Sequence, residues 1–133
     1  MYKHKVNIRV RYGETDQMKY VYYGIYAQYF EVGRVELLRN LGITYKHLEE
    51  QGFSLPVINY TIDYKKPAFY DDELTIETTL LKLLSVKVFF IYKTYNSSGD
   101  LLNTAETTLV FMDIKTGKPC SPPKILIDKL KNI

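Results

Sequence analysis

The stretch GIYAQYFEVGRVELLRN, Gly24 to Asn40, places Ile25, Tyr26, Tyr29, Phe30, Gly33 and Leu37 at steps of three and four, and Leu41 continues the series. Residues at that spacing share one face of an α-helix, so the pattern predicts a helix of about 16 residues with a broad apolar stripe. Gly42 stands just past Leu41, where a left-handed C-cap residue ends a helix without a Cβ penalty. A face this broad needs a large surface to lie against.

On the N-terminal side, Lys5 to Tyr12 alternates, with Val6, Ile8, Val10 and Tyr12 on one face and Lys5, Asn7, Arg9 and Arg11 on the other. That is the period of a half-buried strand. The polar run GETDQMK, from Gly13 to Lys19, then predicts a loop. On the C-terminal side, a short helical turn is expected from Thr44 to Gln51, with Thr44 as its cap and Gly52 as its stop.

Four strands follow. Leu55 to Lys66 alternates, with Ile58, Tyr60, Ile62 and Tyr64 on one side, until Pro67 breaks the ladder and Tyr70-Asp71-Asp72 makes the connection. Glu73 to Lys82 is rich in threonine, leucine and isoleucine, and Val86 to Asn96 runs into a hairpin signal at Ser97-Ser98-Gly99-Asp100. Leu102 to Met112 closes the set, Asp113 to Gly117 is a turn, and Pro122-Pro123 starts a short terminal helix carrying Ile125, Leu126 and Leu130.

Short connections imply antiparallel neighbours. No linker or repeat interrupts the chain, so residues 1–133 read as a single α+β domain. In it a curved five-stranded antiparallel sheet wraps around one long central helix. The other sheet face and the edges still need cover, and self-association supplies it naturally in a domain this small.

Composition narrows the function. Hydrophobic residues at 46% and charged residues at 25% match an ordinary globular domain and leave no case for disorder. No apolar run reaches the ~20 residues of a membrane span, and MYKHKVNIRVRY lacks the continuous apolar core of a signal peptide. A cytoplasmic location is the expectation. Cys120 is the single cysteine, which excludes an intrachain disulfide, and it has no histidine nearby to activate it. His4 and His47 stand in no metal-ligand spacing, and no G-x-S-x-G elbow exists to support a serine triad. No metal and no cofactor are expected. A net charge of +3 with interleaved signs does not point to nucleic acid. The C-terminal stretch is richer in lysine (115, 118, 124, 129 and 131), and it reads either as a solvated tail or as a phosphate-attracting rim. The unusual feature is 13 tyrosines with no tryptophan, five of them (20, 22, 23, 26 and 29) within ten residues. An apolar ring with a polar tip suits pockets and interfaces.

The segment Tyr12-Gly13-Glu14-Thr15-Asp16-Gln17-Met18-Lys19-Tyr20-Val21-Tyr22-Tyr23-Gly24-Ile25-Tyr26, followed by Tyr29-Phe30-Glu31-Val32-Gly33-Arg34, resembles the active-site loop and central helix of 4-hydroxybenzoyl-CoA thioesterase-like acyl-CoA thioesterases. Ile62 to Leu74, the hairpin around Gly99 and Thr116-Gly117-Lys118-Pro119 are similar to later parts of the same family, in order along nearly the whole chain. The resemblance implies the hotdog fold, a homodimer or homotetramer with sites between subunits, and an acyl-CoA or acyl-carrier-protein substrate. Asp16 matches the family's catalytic carboxylate, and the backbone N–H of Tyr23 matches its oxyanion donor. Two positions differ from many members: tyrosine stands at 23 where histidine is frequent, and lysine at 19 where glycine is frequent. Glycine permits backbone angles that lysine resists.

The chemistry needs little more. A thioester leaves as a thiolate, whose conjugate acid resembles a cysteine thiol at pKa ~8.5, so no strong general acid is required. A carboxylate that deprotonates water, or that attacks the carbonyl itself, meets the need. Amide groups at a helix start are unpaired and favour developing negative charge. Tyr20, Tyr22, Tyr26 and Tyr29 are candidates for an acyl pocket, with core or interface packing as the other reading. Lys65, Lys66 and Lys118 are candidates for the coenzyme A phosphates. Glu14 and Thr15 are expected to shape the loop, and Glu31 to pair with Arg34 on the next turn, with orientation of a water from the helix face as its other reading. The competing function is an acyl-thioester binding protein of the same fold that does not cleave its ligand. Dehydration is disfavoured because neither histidine falls in the motif.

Overall fold

A computed structural model describes residues 1–132. The chain forms β1 (Tyr2–Arg9), α1 (Ile25–Asn40), α2 (Tyr45–Glu50), β2 (Phe53–Ser54), β3 (Val57–Tyr64), β4 (Glu73–Leu84), β5 (Lys87–Tyr95), β6 (Leu101–Val110), β7 (Met112–Asp113) and α3 (Lys124–Lys131). Five strands make one antiparallel sheet in the order β1-β4-β5-β6-β3, and β2 pairs with β7 as a short ribbon. The result is a mixed α/β domain with few helices.

The first strand lies earlier than its alternation suggests. It starts at Tyr2 and stops at Arg9, because the Val10 backbone turns to the β3–β4 connection: its N–H donates to Asp72 O at 2.9 Å and its carbonyl accepts from Asp71 at 3.0 Å. Tyr12 therefore sits in a 3-10 turn, Tyr12–Glu14, with its ring 77% exposed, and is not part of a strand. The last long strand also divides. The Phe111 N–H bonds to Val86 O, and Met112–Asp113 crosses to β2.

Helix α1 lies across the sheet and touches both edge strands. It packs against β1 and β4 at one side. The Phe30 ring stacks on Tyr92 of β5 at 4.6 Å, and Phe30 and Tyr26 meet Tyr60 and Tyr64 of β3 edge-on at 6.2 and 5.9 Å. Phe30, Leu37 and Tyr92 are buried, and removing such a side chain from water contributes roughly 1.5–3 kcal/mol. Gly33 permits the close approach, since a Cβ there would stand 2.3 Å from Thr78 Oγ1. Gly42, at φ +86°, ends the run as its position suggests. The α2 turn is capped by the Thr44 hydroxyl, which accepts from the His47 N–H at 3.1 Å.

Arg34 departs from the expected pairing. It is buried and donates from Nη1 to the Tyr92 hydroxyl at 3.1 Å, which in turn shares a 2.6 Å bond with Thr107. Glu31 is exposed, and it forms no ion pair among the described residues. The guanidinium has turned inward to the sheet, where a phenol meets it. Among the described residues, no helix is long and apolar enough to cross a membrane.

Candidate active site

The loop between β1 and α1 is folded by its own polar groups. Asp16 N–H donates to Tyr20 O at 2.8 Å, and Lys19 N–H returns to Asp16 O at 2.9 Å. The Asp16 carboxylate Oδ1 accepts from the amides of Met18 at 2.9 Å and Tyr20 at 3.2 Å, the local turn that aspartate favours. To close this turn Lys19 adopts φ +68°, the left-handed conformation that costs a lysine more than a glycine. The loop is also stitched to the β3–β4 connection. Val21 N–H donates to Ala68 O at 2.9 Å, Tyr20 bridges to Phe69, and the two rings meet edge-on at 5.5 Å. Residues 65–67 are thereby brought beside the Asp16 turn.

Between these segments lies a cavity of about 350 Å³. Six of the residues singled out in the sequence line it: Asp16, Tyr20, Tyr23, Tyr26, Lys65 and Lys66, together with Met18, Val21, Tyr64 and Pro67. A larger groove of about 490 Å³, between Tyr2, the end of β4 and α3, is lined among the described residues by no carboxylate side chain and no histidine. It offers nothing that activates water. In a hollow of about 360 Å³ beside Glu14 and Gln28, the one carboxylate is already bonded to Arg11 and Tyr29, so the cavity beside Asp16 is the candidate site.

Three expected lining residues do not reach it. Tyr22 is exposed and packs its ring on Tyr23 at 4.7 Å. Tyr29 is buried and donates its hydroxyl to Glu14 Oε1 at 2.7 Å, away from the cavity. Lys118 sits in the turn after β7, where its carbonyl accepts from Asp113 at 2.9 Å. Tyr64 and Met18 line the site without having been singled out as ligands. Tyr64 was legible as part of an alternating face, but not as the end of that face nearest Asp16.

The electrostatics suit an anionic ligand with an apolar body. Burial first, then the neighbouring Tyr64, push the Tyr26 phenol up to about 12. Burial, then Tyr23, raise the Tyr64 phenol as well. Both remain protonated hydrogen-bond donors at neutral pH. Lys66 Nζ lies 3.5 Å from Asp100, whereas Lys65 has no ion-pair partner among the described residues. The Tyr23 amide lies just before α1. It stands one residue before the N-cap, Gly24, and no backbone acceptor meets it among the described residues. No histidine or cysteine lines the cavity, and no cluster of metal-ligating side chains occurs among the described residues. A carboxylate, an unpaired helix-start amide, aromatic walls and lysines at the mouth can activate water, stabilise an oxyanion and hold an acyl group with an anionic carrier.

Residues 10–130 match the model of the thioesterase-like superfamily. The chain is 36% identical to YneP of Bacillus subtilis (strain 168), provisionally named an acyl-CoA thioesterase, over 90% of this chain and 86% of that protein. It is 31% identical to the acyl-CoA thioester hydrolase YbgC of Escherichia coli O157:H7, over 93% of this chain and 92% of that one. Among solved structures, the DHNA-CoA thioesterase of Staphylococcus aureus superposes with a TM-score of 0.91 at 32% identity, covering 98% of this chain and 88% of that one.

Proposed function

The chain belongs to the thioesterase-like superfamily, and from that premise we propose that it hydrolyses an acyl-coenzyme A, or an acyl-carrier-protein thioester, to the free acid and the thiol. The observation that carries this reading is the shared cavity of Asp16 and Tyr23, one from the loop and one from the entrance of α1. The Asp16 carboxylate takes a proton from water as the water oxygen bonds to the carbonyl carbon, or it attacks that carbon itself and water opens the resulting anhydride. The Tyr23 N–H donates to the oxyanion that develops, a contribution typically worth a factor of ~100 to 1,000 in turnover. Collapse breaks the carbon–sulfur bond, and the thiolate leaves and is protonated. Tyr26 and Tyr64 wall the acyl group. Lys65 and Lys66 attract the phosphates of the carrier.

The fold we infer is the hotdog arrangement, supported by the contact of α1 with both edge strands. A homodimer or homotetramer in the cytoplasm is the matching assembly. The β3 edge supports it, because Val57, Ile58, Tyr60 and Tyr64 are all exposed there, and unpaired apolar edges favour association.

The test is free-thiol release from short, long and aromatic acyl-CoAs by the wild type and by Asp16→Asn. Loss of at least ~100-fold in a folded variant supports the reaction and the role of Asp16. Thioester binding without thiol release by the wild type would instead identify a non-hydrolytic acyl-thioester binding protein.

A further inference from the structure

Glu14 is the one buried carboxylate of the chain among the described residues, and the proposed reaction does not use it. Its Oε1 accepts from the Tyr29 hydroxyl at 2.7 Å and from the Arg11 amide at 2.8 Å, while Oε2 meets Arg11 Nε at 3.2 Å. Its backbone carbonyl accepts from the Tyr22 N–H at 2.9 Å. A single residue thus grips the chain entering the loop, the face of α1, and the residue immediately before Tyr23. Asp16 lies two residues beyond it.

We propose that Glu14 and Tyr29 form a latch that positions the Asp16 loop against the start of α1, making both positioning residues for the thioesterase reaction. This rests on the reading of Asp16 and Tyr23 given above. The geometry for it is specific. Tyr29 stands on the second turn of α1 and is 3% exposed, so its hydroxyl has little water to bond and depends on Glu14. The loop's own turn, built on Asp16 Oδ1, sets its internal shape but not its distance from the helix. That distance is held by the Glu14–Tyr29 and Glu14–Tyr22 bonds, while Val21 to Ala68 ties the far end of the loop to the β3–β4 connection. A displacement of about 1 Å between a base and an oxyanion donor is enough to cost ~100-fold in rate. Tyr29 therefore acts on chemistry without touching the ligand.

The experiment is a double-mutant cycle with Tyr29→Phe, Glu14→Ala and the pair, read as kcat and KM for thiol release from one acyl-CoA, with Glu14→Gln as the conservative variant. Tyr29→Phe removes one oxygen and should fold, so the test survives if Glu14→Ala does not. The expected result is a kcat lower by about 10- to 100-fold for each single variant, with KM within about twofold. The pair should be no worse than the weaker single variant, since groups acting as one unit are not additive. Glu14→Gln, which keeps an acceptor for Tyr29, should recover part of the loss. Losses that multiply, or a Tyr29→Phe enzyme within about threefold of wild type, overturn the latch. If the wild type releases no thiol, the thioesterase reading fails on its own. Amide exchange then decides the latch: the Arg11 and Tyr22 N–H groups, both bonded to Glu14, should exchange at least ~10-fold faster in Tyr29→Phe, and unchanged exchange overturns it.

Discussion

Asp16 Oδ1 accepts the Met18 amide at 2.9 Å, so the carboxylate proposed as the catalytic base also folds the loop that carries it. The two roles separate by substitution. Asn keeps an oxygen for the turn but cannot act as a base, whereas Ala removes both. Asp16→Asn should lose at least ~100-fold in kcat with its melting temperature nearly unchanged. Asp16→Ala should lose as much activity and about 1 kcal/mol of stability as well, from the lost turn bonds. Equal melting temperatures for both variants would show that the carboxylate does not support the loop.

Lys19, at φ +68°, is the strained member of the same turn. Glycine is free of the Cβ clash there, and the gain outweighs its greater unfolded-state entropy by roughly 0.5–1 kcal/mol. Lys19→Gly should therefore melt about 2–5 °C higher. A melting temperature at or below wild type would mean that lysine makes a compensating contact.

Much of this architecture was legible because it is local. The span of α1, its stop at Gly42 and the Thr44 cap follow from a period and from single residues with special backbone or side-chain properties. What the sequence hid depends on partners far along the chain. The end of β1 is set by Val10 meeting Asp71 and Asp72, and no alternation encodes a partner sixty residues away. The same holds for phenol tips. Tyr26 and Tyr29 share one helix stripe, yet one lines the cavity and the other bonds Glu14. Spacing places a ring on a face and does not aim its hydroxyl. Arg34, expected to pair with Glu31 at helical spacing, found Tyr92 on β5 instead, because it lies on the buried side of α1. Among the lysines, charge alone could not separate Lys65 and Lys66 at the cavity from Lys118, which the β7 turn holds elsewhere.

Lys65 and Lys66 are adjacent but differ in partner, since only Lys66 meets Asp100. An exposed lysine already facing a carboxylate has less charge to offer an incoming phosphate. Lys65→Ala should raise KM for an acyl-CoA by about fivefold, while Lys66→Ala should raise it less than about twofold. Asp100→Asn should lower KM by releasing Lys66. With an N-acetylcysteamine thioester, which has no phosphates, none of the three should shift KM. Equal effects of the two lysines, or an effect on the phosphate-free substrate, would remove them from carrier recognition.

Glu14 makes acid the condition that loosens the site. Burial raises its carboxyl, but the Arg11 amide, the Tyr29 hydroxyl and the Arg11 guanidinium outweigh that and hold it below the ordinary value of 4.5. The folded state then binds fewer protons than the unfolded chain between the two values, so stability rises with pH across that interval. The Glu14 contribution is fully present above about pH 4.5 and fades as pH falls through the depressed folded value. Denaturant unfolding of wild type and Glu14→Gln from pH 6 down to pH 3 measures it. The difference in stability between them should be constant at the upper end and shrink below about pH 4.5, because the glutamine cannot titrate. In Tyr29→Phe, one of the bonds that depress the carboxyl is gone, so the loss should be smaller and complete at higher pH, while its onset stays at the unfolded value. A stability difference that stays constant down to pH 3 would mean that the carboxyl is not held low in the folded state, and that Arg11 and Tyr29 serve it only as neutral packing.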